Sequence, residues 1–289
     1  MAGDDVKAAR RWFADELRHL ARVQSPAVVE AFATVPREHF AGPGPWRILS
    51  PMRMAEYWTT DDADPRHLYH DVLIAIDETR RLNNGQPSLW ALLYDELKLT
   101  CGGHVVHVGV GTGYYSAILA EIVGPTGQVT AVEIDPDLAA RARENLALAW
   151  PQVTVVAADG FAFRPDRAAD AIVVNAGVSH LSLAWLDTLA ADNGRLLVPL
   201  TKADRFGGFL MITRRVGEMY RYDTRFVSRT GIISCIGGRS RRRGRGKVEG
   251  SIAALGFRCH PITASPAGRA RRDLLAGGQW MVALHRTGA

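Results

Sequence analysis

The chain has 289 residues, of which 47% are hydrophobic and 22% charged, with a formal net charge of +5. These values lie in the ordinary globular range and leave room for one large domain or a core with an appendage. The chain lacks both an apolar run of the roughly eighteen residues that span a bilayer and a signal segment, so we expect a soluble, cytoplasmic protein with no membrane partner.

Three cysteines and one basic run bear on partners and redox state. Cys101, Cys235 and Cys259 are widely spaced and outside any CxxC pair, which predicts reduced, partly buried thiols. The positive charge is concentrated at 239–247, where arginine and lysine alternate with glycine and serine. Such a run can bind nucleic acid or an acidic peptide. Because no base-reading motif accompanies it, we favour a solvated loop and do not expect a nucleic-acid partner.

The first seventy residues predict a helical and irregular cover. Residues 5–34 have helical periodicity, with Trp12, Phe13, Leu17, Leu20 and Val23 expected on one face. The Gly/Pro-rich segment GPGPW then stops the helical pattern, and residues 50–70 have no clear period. A strand at 72–76 and a helix at 88–99 follow.

The most informative stretch runs from His104 to Asp135. It predicts a strand, a turn with glycine at 109, 111 and 113, a helix, and a second strand that ends on Glu133. Glycine lets a ligand approach the main-chain amides, and an acid at the tip of the second strand can accept hydrogen bonds from ribose hydroxyls. The unit is therefore expected to bind a nucleoside.

The spacing of the glycines indicates which kind of nucleoside binds. A dinucleotide fingerprint is G-x-G-x-x-G, but its third glycine position is Tyr114 here, and Gly113 comes one residue early. The G-x-G-x-G form resembles motif I of class I S-adenosylmethionine-dependent methyltransferases. A tight structural turn without a ligand is the alternative.

The remaining chain alternates strands and helices. We expect a helix at 136–150, strands at 153–157, 169–175 and 194–200, and a helix at 181–190. Strands at 209–215 and 279–285 would form an antiparallel edge, and the region between them has no assignable structure. This order predicts an α/β Rossmann-like fold with a doubly wound, mostly parallel sheet, divided into a cover (1–70), a cofactor-binding core (71–215) and a C-terminal extension (216–289).

Several motifs together resemble protein-L-isoaspartate O-methyltransferases. They are VPREHF at 35–40, GQP at 85–87, VVHVGVGTGYYSAILAEIVG, VTAVEID, ADGF, AIVVNAG and GRLLVPL, in the order of that family and over residues 28–215. Two positions depart from it. His107 stands where the family usually has an acid, and Asn83-Asn84-Gly85 replaces the usual Thr-Ile-Ser of the substrate loop.

The resemblance implies a cofactor, S-adenosyl-L-methionine, and a set of site residues. The catalytic residues that it implies for methyl transfer are Gly85, Gln86 and Asn175. The implied cofactor contacts are Asn84, Gln86, Pro87, His107, Gly109, Gly111, Gly113, Tyr114, Glu133, Ile134, Asp159, Gly160 and Asn175. A strand-end cap for Asn175 and a neutral packed residue for His107 are the alternatives. No cluster has metal-ligand spacing.

The sequence is compatible with more than one methyl acceptor. A carboxylate is already ionised at neutral pH, whereas a lysine-type amine with a pKa near 10.4 must first lose a proton, so carboxyl methylation needs no general base. The leading expectation is carboxyl O-methylation of an aspartyl or isoaspartyl residue in an acidic protein or peptide. A small-molecule O- or N-methyltransferase and a noncatalytic, nucleic-acid-associated protein that binds the cofactor are the alternatives.

Overall fold

The computed structural model describes residues 2–53, 56–201, 206–214, 221–232, 257–261 and 282–286. The basic run at 239–247 and Cys235 lie outside these residues. The chain divides into two compact units, residues 1–160 and 161–289. The three-part division drawn from the sequence stays a prediction.

The first unit begins with three helices, of which the sequence predicted the first two. They are α1 (Ala2–Ala21), α2 (Pro26–Thr34) and α3 (Arg37–Ala41). Phe13 and Leu17, one turn apart on α1, are buried, as expected. Trp12 and Leu20 are 74% and 58% exposed, so the prediction of a single five-residue apolar face is wrong for these two. Only the narrower stripe through Phe13 and Leu17 faces the core.

A small antiparallel sheet follows the helices. Its strands are β1 (Arg47–Leu49), β2 (Trp58–Thr59), β3 (Leu73–Asp77) and β4 (Leu82–Asn83), in the order β2-β1-β3-β4. A 3-10 helix at Pro65–Leu68 connects β2 to β3. Trp46, Ile48 and Leu68 pack beneath this sheet. The sequence predicted β3 alone, because strands of two or three residues are too short to show an alternating pattern.

The centre of the first unit is the predicted βαβ arrangement. Its elements are α4 (Pro87–Leu97), β5 (His104–Val108), α5 (Tyr114–Val123), β6 (Gln128–Glu133), α6 (Pro136–Leu146) and β7 (Val153–Ala157). Strands β5, β6 and β7 are parallel neighbours. Every residue of β5 is buried, as expected for a parallel strand covered on both faces. The carboxyl ends of β5 and β6 therefore lie at one edge of the sheet.

The second unit continues the alternation and then becomes antiparallel. Its elements are β8 (Ala171–Val174), α7 (Leu183–Asp187), β9 (Arg195–Thr201), β10 (Phe206–Arg214), β11 (Arg221–Gly231), β12 (Phe257–Pro261) and β13 (Val282–Arg286). β8 and β9 are parallel, and β9, β10, β11, β13 and β12 pair antiparallel in that order. The strands predicted at 209–215 and 279–285 correspond to β10 and β13. The long strand β11 was missed, because its polar and apolar residues do not alternate regularly.

Two expectations from composition can be compared with the described residues. No helix among them is long and apolar enough to cross a membrane. Cys101 is a free thiol, but it is exposed, so the predicted burial is wrong for this residue.

Candidate functional site

The glycine loop joins β5 to α5. Gly109, Gly111 and Gly113 have φ angles of +81°, +59° and +100°, a region that side chains with a Cβ rarely adopt. Gly113 also caps the N-terminus of α5, and its Cβ position would lie 3.0 Å from Leu146 Cδ1. The loop thus places main-chain amides and a helix N-terminus at the carboxyl end of β5.

Glu133 at the end of β6 holds this loop. The amide of Gly111 donates to Glu133 Oε2 at 2.8 Å, and the amide of Asp135 donates to Glu133 Oε1 at 3.1 Å. The side chain is 7% exposed. Asp135 accepts hydrogen bonds from the first turn of α6, and its Oδ2 lies 2.6 Å from Arg80 Nη1. The acid predicted for ribose binding is therefore fixed beside the glycine loop.

The loop between β4 and α4 is held by side-chain hydrogen bonds. Asn84 Oδ1 accepts from the amide of Ile74 at 2.7 Å, and Asn83 Oδ1 accepts from the amide of Gly85 at 2.9 Å. Tyr115 on α5 donates its hydroxyl to the carbonyl of Gly85 at 3.3 Å. This last bond joins the loop to the helix that starts at the glycine turn.

Asp71 supplies the cap of α4. Gln86 is the N-cap residue but makes no cap bond; its Nε2 instead donates to Asp71 Oδ2 at 2.9 Å. Asp71 accepts from the amide of Ser88 at 2.8 Å and from its hydroxyl at 2.7 Å. Asp71 could not be predicted from the sequence, because a cap from a residue distant in the chain leaves no local motif.

The loop between β4 and α4 leaves little space beside Gly85. Gly85 has φ +81°, and a Cβ at this residue would lie 2.6 Å from Trp90 Nε1. Trp90 is 1% exposed, so its movement would disturb the core. A serine side chain here would force Trp90 or the loop to shift.

Burial keeps one histidine and two tyrosines beside the glycine loop neutral. Burial lowers the pKa of His107 to about 3, and its Nδ1 lies 2.8 Å from Ser116 Oγ. His107 Nε2 is buried without a hydrogen-bond partner. Burial also raises the pKa of Tyr114 and of Tyr115 above the ordinary range of a phenol. The predicted alternative, a neutral packed His107, agrees with this environment, and its contact with a cofactor stays a prediction.

The other residues predicted to contact the cofactor differ in exposure. Ile134 is 41% exposed directly after Glu133. Asp159 is exposed, Gly160 and Pro87 are buried, and a Cβ on Gly160 would lie 2.4 Å from Val108 Cγ1. Asn175 follows β8 in the second unit and is half-buried.

A small cavity lies beside the glycine loop in the first unit. It is lined by Arg37, Phe40, Ala41, Ile74, Ala75, Ile76, Asn84, Thr112, Tyr114 and Arg141. Sequence reasoning named Asn84 and Tyr114 but missed the two arginines. Arg37 belongs to the VPREHF motif and Arg141 to the polar face of α6, and only the tertiary structure brings them together.

Parallel strands, a glycine turn opening a helix, and an acid at the next strand end together define the class I methyltransferase fold. The family model of protein-L-isoaspartate(D-aspartate) O-methyltransferase matches residues 10–228. The protein-L-isoaspartate O-methyltransferase of Gloeobacter violaceus is 32% identical over 221 residues, which cover 75% of this chain and 96% of that protein.

Solved structures show the same fold. A protein-L-isoaspartate O-methyltransferase superposes with a TM-score of 0.63 at 24% identity, covering 78% of this chain and 66% of that one. The β-aspartate methyltransferase of Plasmodium falciparum, solved with S-adenosyl-L-homocysteine, superposes with a TM-score of 0.60 at 19% identity, covering 78% and 98%.

This chain belongs to the protein-L-isoaspartate(D-aspartate) O-methyltransferase family. The predicted family, fold class and enzyme class are thereby confirmed, as is S-adenosyl-L-methionine as the cofactor. The expected function, carboxyl methylation of isoaspartyl residues in proteins, is that of the family.

Proposed function

We propose that this chain transfers a methyl group from S-adenosyl-L-methionine to the carboxylate of an isoaspartyl or aspartyl residue in an acidic protein or peptide. The observation that carries the proposal is the hydrogen bond from the Gly111 amide to Glu133, which fixes the glycine loop against the strand-end acid. The second support is the bond from Tyr115 to Gly85, which ties the acceptor loop to the helix that follows the glycine loop.

The described residues fit this cofactor. The bare main chain at Gly109, Gly111 and Gly113 suits the methionine end, and Glu133 suits the ribose hydroxyls. Asp159 and Gly160 are proposed for the adenine. The proposed set also includes Asn84, Gln86, Pro87, His107, Tyr114, Ile134 and Asn175, as the sequence predicts.

The proposed chemistry needs positioning more than proton transfer. When bound, the cofactor supplies an electrophilic methyl group on a sulfonium, and the acceptor must lie in line with it. A carboxylate has a pKa of about 4 and is already a nucleophile at neutral pH. Burial lowers the pKa of His107 to about 3, so its imidazole is too weak a base to deprotonate an acceptor, which agrees with a carboxyl acceptor. Gln86, held by Asp71, and Asn175 are proposed to position the acceptor.

The acidic character of the substrate is part of the proposal, as is the cytoplasmic location. The lack of a hydroxyl at Gly85 distinguishes the acceptor loop from the usual family loop, so we propose a dedicated acidic peptide over general repair of damaged proteins. Arg37 and Arg141 beside this loop favour an acidic partner.

The test is methyl incorporation by the full chain from tritiated S-adenosylmethionine. Two peptides that differ only by aspartate or isoaspartate at one position are compared, with a peptide carrying asparagine there as the control. We expect base-labile label, typical of a methyl ester, in at least one of the acidic peptides and none in the control. Base-stable label, or label on a small-molecule acceptor only, would contradict the proposal.

A further inference from the structure

The cavity beside the glycine loop contains buried polar atoms that the protein itself leaves unpaired. Arg37 Nε and the Tyr114 hydroxyl are both buried without a hydrogen-bond partner, and both residues line the cavity. The Arg37 guanidinium lies 5.7 Å from the centre of the Tyr114 ring. Buried donors are nearly always paired in folded proteins, so two unpaired groups in one cavity indicate a ligand that accepts hydrogen bonds.

Arg37 is held rigidly at one side of this cavity. Its Nη1 donates to the carbonyl of His70 at 3.0 Å and its Nη2 to the carbonyl of Val72 at 2.9 Å. It also donates to the carbonyl of Leu68. These bonds fix the guanidinium but leave its positive charge without a carboxylate partner among the described residues.

Arg141 supplies a second charge at the open side of the cavity. It is exposed on α6 and forms no ion pair or hydrogen bond with any described residue. None of the lining residues is an aspartate or glutamate. Asn84 uses its Oδ1 to accept from Ile74, so the Nδ2 group, a donor, is left for the cavity. The lining therefore offers donors and positive charge to a ligand.

The remaining walls indicate which anion fits. Phe40 and Ile74 are apolar and buried, so the cavity suits a carboxylate carried on methylene groups better than a free inorganic ion. Asn84 belongs both to the cavity and to the proposed acceptor loop, which places the cavity next to the methylated residue if the proposed function holds.

We propose that this cavity, with Arg141 at its entrance, binds the carboxylate of an acidic residue that neighbours the methylated residue in the acceptor peptide. Arg141 is thus a specificity-determining residue, because a guanidinium recognises a carboxylate by paired, charge-assisted hydrogen bonds. This inference rests on the proposed peptide substrate.

The experiment compares two isoaspartyl peptides, one with glutamate beside the acceptor and one with glutamine, using full-length wild type, Arg141→Gln, Arg141→Lys and Arg143→Gln. Arg143 lies on the same helix but does not line the cavity, and it donates to the carbonyl of Val155. We expect the ratio of kcat/KM for the glutamate over the glutamine peptide to fall about tenfold in Arg141→Gln, as for the loss of one charge-assisted hydrogen bond. Arg141→Lys should recover part of the lost ratio, and Arg143→Gln should keep the wild-type ratio.

Calorimetry with S-adenosylhomocysteine tests whether the cavity binds a carboxylate of the peptide or the carboxylate of the cofactor. An affinity for this nucleoside that falls in Arg141→Gln, with an unchanged peptide ratio, would assign the cavity to the cofactor's own carboxylate and overturn the inference. An unchanged peptide ratio with unchanged nucleoside affinity would overturn it as well. If the wild type methylates neither peptide, the proposed function fails. Fluorescence anisotropy of the two labelled peptides then still tests the cavity. Only the glutamate peptide should lose affinity in Arg141→Gln.

Discussion

Glu133 joins two roles at the scale of a single residue. Its carboxylate accepts from the amides of Gly111 and Asp135, so it shapes the loop on which the cofactor is expected to lie. The same oxygen atoms are the proposed acceptors for ribose hydroxyls. The loop geometry and the nucleoside affinity should therefore depend on the same charge.

We predict that Glu133→Gln weakens the affinity for S-adenosylhomocysteine by about tenfold or more, because hydrogen bonds to a charged acceptor contribute roughly 1.5–3 kcal/mol. Calorimetry on the full chain measures this change. Asp137→Asn, an exposed acid in the first turn of α6, is the matched control and should bind as the wild type does. Equal affinities of the two variants would contradict the role given to Glu133.

His107 makes folding stability depend on pH. Burial lowers its pKa from 6.5 in the unfolded chain to about 3 in the folded protein. Between these pH values the unfolded chain binds a proton that the folded chain does not. The contribution of His107 to stability is therefore complete above pH 6.5 and is lost as the pH falls toward 3.

The predicted slope approaches about 1.4 kcal/mol per pH unit between pH 6 and pH 4. Urea unfolding of the wild type and of His107→Gln at several pH values isolates this contribution, because glutamine does not titrate in that range. The difference in the free energy of unfolding between the two proteins should narrow as the pH falls. Parallel pH profiles would show that His107 has the same pKa in the folded and the unfolded chain.

At the scale of elements, the path of the loop between β4 and α4 favours glycine at residue 85. Gly85 combines a positive φ with a close approach to Trp90, so its lack of a side chain is a consequence of packing. A side chain at this residue would require Trp90 or the loop itself to shift.

We predict that Gly85→Ala lowers the free energy of unfolding by roughly 2–4 kcal/mol, of which the positive φ accounts for about 1–2 kcal/mol and the clash for the rest. Gly102→Ala is the matched control. Gly102 has a similar φ of +80°, but its Cβ position lies 3.6 Å from Thr126 Oγ1, an ordinary contact. Chemical denaturation of both variants should show the larger loss at Gly85, and equal losses would mean that Trp90 moves aside at little cost.

At the scale of the whole molecule, binding of the nucleoside should stabilise the folded chain. A ligand present at 100 times its Kd adds about 2.7 kcal/mol to the free energy of unfolding. We expect S-adenosylhomocysteine to raise the Tm, measured by calorimetry, and NAD to leave it unchanged, because Tyr114 stands where a dinucleotide fingerprint has glycine. A rise with NAD and none with S-adenosylhomocysteine would contradict the cofactor assignment.

Local signals in the chain predicted much of the fold. Helices α1, α2 and α4–α6 and strands β5–β7 were found because their apolar periods and glycine or proline boundaries are written in consecutive residues. The short strands β1, β2 and β4 were missed because two or three residues show no alternation, and β11 was missed because its polar and apolar residues do not alternate regularly. Strand pairing is a tertiary property when the strand itself is too short or too irregular to show a pattern.

The amino-acid sequence by itself determined the βαβ unit, its glycine loop, the acid at Glu133 and the resemblance to one family, since each depends on residues close together in the chain. Only the tertiary structure decided that Gly85 has little room for a side chain, that Asp71 caps α4, and that Arg37 and Arg141 share one cavity. The physical reason is that these properties arise from packing and charge between segments that are distant in the chain, and no local pattern records which segments meet.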